Sequence, residues 1–246
     1  DKEAFYRRKL AMIDQDIRNF LKIYPEARIL WGMTFRPEAA WNDQFPDEVA
    51  VFPDGTRTKS SFSSQVWLDM SAEWISRMVA HMRRSDYAGH IAGFHFGIGD
   101  GAEAMYWGRN HNAFDASRDR VSAGDFSPAA IKKFRRWLRE KYNGDVAALR
   151  HAWKKDNVDF DSAVPDMEEL RRAGQQNFRN PASGRMAMDY WSFHGDSMAD
   201  AAIAIADAFK KSCNNELLVG VYGFYNLAQL HLIYRPASSH HVAYTG

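Results

Sequence analysis

The stretch His90-Ile91-Ala92-Gly93-Phe94-His95-Phe96 runs without a break into Gly97-Ile98-Gly99-Asp100-Gly101-Ala102-Glu103. Its first half is short and apolar, and Phe94 and Phe96 flank His95. That is the pattern of a buried strand whose histidine faces away from the two phenylalanines. Its second half carries too many glycines to extend a strand or to start a helix. The reading is a strand that opens into a long loop, reaching to about Phe126, with two carboxylates close behind the strand end.

Working outward, Lys2–Tyr24 spaces Leu10, Ile13, Ile17, Phe20 and Leu21 as one helix face, and Pro25 ends it. Arg28–Phe35 (RILWGMTF) is a second buried strand. Residues 36–62 form a long loop in which Pro53-Asp54-Gly55 makes a tight turn between Val49–Phe52 and Thr56–Thr58, a small hairpin. Ser63 or Ser64 caps a helix that places Val66, Met70, Trp74, Met78 and Met82 along one face. Beyond the central loop, Ser127-Pro128 starts a helix ending near Tyr142, with Gly144 just past it. Asp145–Trp153 is a short helix, and 155–184 is irregular apart from a turn of helix near Met167–Arg172. Met186–Lys211 is the longest helix, with Trp191, Met198, Ala202, Ile205 and Phe209 inward. Leu217–Tyr222 (LLVGVY) is a third strand, and Asn226 caps a helix through about Tyr234.

Strands alternating with helices indicate parallel βαβ units and an α/β fold. Long loops follow the strands and short ones precede them, as in a (β/α) TIM-type barrel, where the loops after the strands carry function. Such a barrel takes eight strands in about 250 residues. Here three strands are strong and one is weak. The expected architecture is a partial barrel, about half, forming a single domain over 1–246.

Composition narrows the partners. The chain has 246 residues, 32 basic and 31 acidic, for a net charge of +1, which supplies no basic face for nucleic acid. No apolar run approaches a membrane span; the best candidate, Ala201–Phe209, is broken by Asp207. The single Cys213 excludes an internal disulfide and a multi-cysteine metal site, and neither metal nor cofactor is expected. Asp1 is not Met and no leader precedes it, so the expected compartment stays open between cytoplasmic and secreted after signal removal. Aromatic residues reach 14%, which packing or sugar-stacking platforms can each absorb.

Glu103 is the sharpest chemical signal. Glycines around it admit a ligand to the backbone, and Tyr106 and Trp107 can wall a sugar subsite. Such walls desolvate a carboxyl group and raise its pKa, as a general acid near neutral pH requires. Read structurally, the same residue caps amides in a tight turn. Asp100 either shares the site or forms the turn, and Asp43 and Glu38 are loop acids within reach of a pocket. Asp189 is expected to support the start of the long helix through its dipole. His95 reads as a core or supporting histidine, and His240-His241 as an exposed pair. Trp41, Tyr106, Trp107, Tyr222 and Tyr225 are expected to line a sugar site, whereas Trp74, Trp137 and Trp153 sit on helix faces as core.

The segment 93–108 (GFHFGIGDGAEAMYWG) resembles the acid/base loop of β-galactosidase-like glycoside hydrolases of clan A, close to family 42, which are TIM barrels. Trp41–Glu48 (WNDQFPDE) resembles a pocket-building loop of that group, and 126–153 (FSPAAIKKFRRWLREKYNGDVAALRHAW) its helix pair after the acid/base loop. Asp189-Tyr190 and Val221-Tyr222-Gly223-Phe224-Tyr225 resemble its next helix start and strand end. The resemblance implies hydrolysis of β-linked sugars in an oligo- or polysaccharide, with Glu103 as proton donor. It implies a nucleophile after a late strand, beyond Gly246. Family 42 has Asn before its acid/base Glu where this chain has Ala102, and its cysteine-held zinc has no counterpart. The alternative reading is a carbohydrate-binding half-barrel, or a fragment, without the nucleophile. An open half-barrel is further expected to pair as a two-fold homodimer.

Overall fold

The computed structural model describes residues 2–35, 37, 39–52, 55–98, 124–174 and 180–222. Helix α1 (Lys2–Ile23) precedes strand β1 (Ile29–Phe35). A short helix α2 (Ala39–Gln44) and an antiparallel hairpin, β2 (Val49–Val51) and β3 (Arg57–Ser60), follow. Helix α3 (Gln65–Met82) leads to β4 (Ile91–Ile98). Four helices come next: α4 (Pro128–Lys141), α5 (Val146–Trp153), α6 (Met167–Gly174) and α7 (Arg185–Ser212). Strand β5 (Leu218–Val221) closes the described order.

The main sheet runs β1–β4–β5 with every pair parallel, so α3 and α7 are the crossovers of two βαβ units. Alternation decides its faces. Phe35, Phe94, Phe96 and Ile98 are buried against α3 and the second half of α7. Phe209 of α7 stacks on Phe94 at 4.8 Å and on Phe96 at 5.7 Å, with Phe35 edge-on at 6.0 Å. Each such ring taken from water contributes about 1.5–3 kcal/mol. The opposite face is open: Leu30 is 50% and Leu218 66% exposed.

A second apolar core joins α4, α5 and α6 to the first half of α7, around Phe134, Leu138, Leu149, Leu170 and Trp191. Its helices start where capping chemistry puts them. Ser127 Oγ accepts from Ala130 N with Pro128 at the first helical position, and Asp145 accepts from the amides of Ala147 and Ala148. Gly144 at φ +72° marks the stop after α4.

Three expectations are corrected. The buried face of α3 is Trp67, Ser71, Ile75, Met78, Val79 and Met82, while Val66, Met70 and Trp74 are half-buried beside it. A strict four-residue row advances about 40° past each full turn and spirals off the core, whereas mixed steps of three and four stay on it. In α1 the buried set is Tyr6, Ile13 and Ile17, and Phe20 is exposed because the last turn projects past the sheet-facing core. Residues 39–44 are helical rather than part of an open loop. The expected helix 226–234 and His240-His241 lie outside the described residues.

Polar contacts dock α1 on α3. Asp14 accepts from His81 Nε2 at 2.8 Å and from the Tyr87 hydroxyl, and Arg77 pairs with Glu3 and Glu73. Hydrogen bonds from Tyr87 and His81 outweigh burial and hold the Asp14 carboxyl below its usual range.

Candidate functional site

Because β1, β4 and β5 are parallel, Phe35, Ile98 and Val221 lie at the same end of the sheet, where the chain leaves all three strands. On the open face His95 stands in register with Gly32 and Gly220. The Tyr222 ring meets the His95 ring edge-on at 4.6 Å, and Tyr222 N donates to Phe96 O at 2.9 Å, extending the β5 ladder to the strand end. Tyr222 is 47% exposed. Glycine is required at 93, where a Cβ would come within 2.3 Å of Leu218 O, so that β5 can approach β4.

Trp41 is placed differently from Tyr222. Helix α2 turns it inward to 7% exposure, tilted against Phe45 at 5.4 Å with Nε1 on Met70 Sδ at 3.3 Å. Asp43 lies exposed on the same helix. Asp100, Glu103, Tyr106, Trp107 and Tyr225 lie outside the described residues, as does Glu38.

Where the chain returns from 99–123 it enters a buried polar knot that no sequence pattern had singled out. Asp125 is fully buried. Its Oδ1 accepts from Ser127 N at 2.9 Å and from Val51 N at 3.2 Å, and Ser61 adds a side-chain hydrogen bond. Asp125 N donates to Tyr190 Oη and His194 Nε2, each at 3.2 Å, and Tyr190 Oη donates back to Asp125 O at 3.0 Å. Phe126 N donates to Val51 O at 2.8 Å, and Ser63 Oγ meets Ser197 Oγ at 2.9 Å. Gly124 at φ +110° fits under Tyr190, whose Oη would lie 2.9 Å from a Cβ there. The loop after β1, the return from the loop after β4, and α7 are thus tied at one point.

The electrostatics of the knot follow from burial. Desolvation pushes the Asp125 carboxyl up and drives the His194 pKa down to about 3, so His194 is neutral. With Nε2 accepting, its proton sits on Nδ1. Two signals were available in the sequence: Asp125 two residues before the capping Ser127, an Asx turn, and Tyr190 with His194 one helical turn apart.

Asp189 corrects an expectation. It lies one turn inside α7, fully buried, and acts across helices rather than on the helix dipole. Its Oδ2 accepts from the Tyr142 hydroxyl at 2.6 Å and Trp153 Nε1 at 2.8 Å. Its Oδ1 pairs with Lys141 at 3.0 Å and Arg185 at 3.2 Å. Burial, with the carboxylate close by, pushes the Tyr142 phenol up to about 12.

The family model described as β-galactosidase of glycoside hydrolase family 42 matches residues 26–225. The chain belongs to this family. Among solved structures, it is similar to the β-galactosidase of Bacillus circulans sp. alkalophilus, at 18% identity over 88% of this chain and 30% of that one, with a TM-score of 0.59. The β-galactosidase of the psychrophilic Marinomonas ef1 gives 18% over 81% and 28%, with a TM-score of 0.54. The catalytic domain of β-amylase from Paenibacillus polymyxa gives 13% over 90% and 58%, with a TM-score of 0.61. At these identities the likeness is one of fold: the chain is α/β and forms part of a TIM-type barrel. It spans about 30% of the length of these two β-galactosidases. No curated protein matches it.

Among the described residues no group of three or more His, Cys, Asp or Glu can hold a metal ion, and no helix is long and apolar enough to cross a membrane. The cysteine-held zinc of family 42 does not fit this chain. Cys213 is the one cysteine, buried at the C-terminal cap of α7 with its sulfur on Lys210 O at 3.6 Å.

Proposed function

We propose that the chain carries the acid/base side of a glycoside hydrolase site acting on β-linked sugars of the β-galactoside type, with Glu103 protonating the leaving oxygen. The observation that carries the reading is the family match across 26–225, which includes the loop after β4. General acid catalysis needs a protonated carboxyl group beside the glycosidic oxygen, and a retaining reaction needs a second carboxyl group about 5 Å away. Asp100, Tyr106, Trp107, Tyr222 and Tyr225 bind the sugar in this reading, the aromatic rings by stacking on its apolar face. Trp41 serves from behind, as the buried support of the loop after β1.

Glu103→Gln is expected to remove most hydrolysis of β-galactosides with poor leaving groups and to spare those with activated phenols, which need little protonation. Rates on a nitrophenyl and an alkyl β-galactoside check this. Equal loss on both, with an unchanged circular dichroism spectrum, refutes the acid role. The span of about 30% of the β-galactosidases favours a second reading, in which the chain binds sugar and the nucleophile is supplied elsewhere. Galactoside binding by calorimetry without turnover selects it.

The open face bearing Leu30 and Leu218 supports self-association of the isolated chain as a two-fold dimer. Sedimentation equilibrium at low micromolar concentration is expected to return twice the chain mass; a folded monomer overturns this.

A further inference from the structure

The buried knot is built more elaborately than packing requires. A loop return needs its backbone polar groups satisfied, and water does that at most protein surfaces. Here the return is taken into the interior and meets protein groups drawn from three separate parts of the fold. Val51 and Ser61 come from the loop after β1, Ser127 from the cap of α4, and Tyr190 and His194 from α7. Gly124 gives up its side chain so that the Tyr190 hydroxyl fits against it. The upstream end of the same loop is held by β4, whose Ile98 is buried in the sheet core. Both ends of 99–123 are therefore anchored in rigid elements, and one anchor is shared with the neighbouring loop.

We propose that Asp125, with Tyr190 and His194, is a positioning element for the reaction: it fixes where the segment bearing Glu103 rejoins the fold and locks that point to the hairpin after β1. The proposal rests on the reading of Glu103 as the acid. None of the three residues is a catalytic residue. They act through the backbone that holds the acid, and a misplacement of about 1 Å at such a point costs on the order of a hundredfold in rate.

Asp125→Ala removes the acceptor of the Ser127 and Val51 amides, whereas Asp125→Asn keeps an acceptor oxygen of the same size. The expected result for Asp125→Ala is a kcat on an alkyl β-galactoside lowered about a hundredfold, with KM within about twofold and nitrophenyl β-galactoside largely spared, and recovery of most of the loss in Asp125→Asn. Amide hydrogen exchange reads the anchor itself, whether or not the chain turns over substrate. In Asp125→Ala, peptides covering 49–63 and 124–130 are expected to exchange on the order of tenfold faster, while α3 and the second half of α7 keep their protection. Uniform acceleration through α3 and α7 overturns the proposal, because the knot is then ordinary core. Unchanged exchange in 49–63 and 124–130 overturns it as well. If Asp125→Ala fails to fold, Tyr190→Phe, which deletes one hydroxyl, is read by the same exchange pattern on a smaller scale. Glu103→Gln without effect on hydrolysis, beside a localised loosening in Asp125→Ala, refutes the acid and leaves the anchor standing. Full loss in Glu103→Gln with an undisturbed kcat in Asp125→Ala does the reverse.

Discussion

Asp189→Ala is expected to lower the unfolding free energy by about 3–5 kcal/mol, the cost of removing one partner from a buried, charged network. The carboxylate is the only anion among the groups it gathers: Lys141, Arg185, the Tyr142 hydroxyl and Trp153 Nε1. Without it the indole N–H loses its acceptor inside the second core, and two cations lose their counter-charge. A domain holds only about 5–15 kcal/mol in total, so the variant stands near the edge of folding. Asp189→Asn keeps an acceptor oxygen and should cost less. Urea unfolding followed by tryptophan fluorescence checks both, and a midpoint for Asp189→Ala within error of the parent would contradict the assignment.

The other large effect is an acid-side loss of stability set by His194. Its folded-state pKa of about 3 lies below the unfolded value of about 6.5, so the unfolded chain binds the extra proton between those limits. The stabilisation is complete above about pH 6.5 and falls by roughly 1.4 kcal/mol per pH unit as the pH drops through that window. Asp125 works in the opposite sense. Its raised pKa lets the native state take up a proton at a pH where the unfolded carboxyl is still ionised, which offsets part of the loss. Asp14, Asp159 and Asp166, all depressed, add to the loss only below about pH 4. The decline attributable to His194 is therefore expected to be steepest near the middle of the window between about pH 3 and 6.5. His194→Gln, which keeps an acceptor for Asp125 N, should flatten the unfolding midpoint between pH 5 and 6.5. An identical slope in the variant would falsify the assignment.

Local chemistry made most of the fold legible. Ser127-Pro128, Asp145 and Ser64 each announce a helix start, because an amide at a helix N-terminus needs an acceptor within three residues. Phe94 and Phe96 reveal which face of β4 is covered, and Pro53-Asp54-Gly55 foretells the hairpin. What stayed illegible is what depends on distant partners. Asp125 and His194 are 69 residues apart, and Asp189 and Trp153 are 36 apart. A carboxylate near a helix start looks the same in sequence whether it serves the dipole or a neighbouring helix. Trp41 shows the limit for the site: its type suits a sugar platform, but the unforeseen turn of α2 decides that it faces Met70.

Helix α7 has a consequence in time. Its first half closes the core of α4–α6 and its second half closes the core behind the sheet. Ser63 and its partner Ser197 are 134 residues apart, and synthesis at about 5–20 residues per second separates them by on the order of ten seconds. In the same way Phe94 and Phe96, once made, wait for Phe209, and Phe134 waits for Tyr190 and Phe193. A nascent chain made only as far as this helix has two apolar surfaces that lack their shared cover. Such exposed apolar surface makes the stage before α7 is complete the most aggregation-prone one in its synthesis.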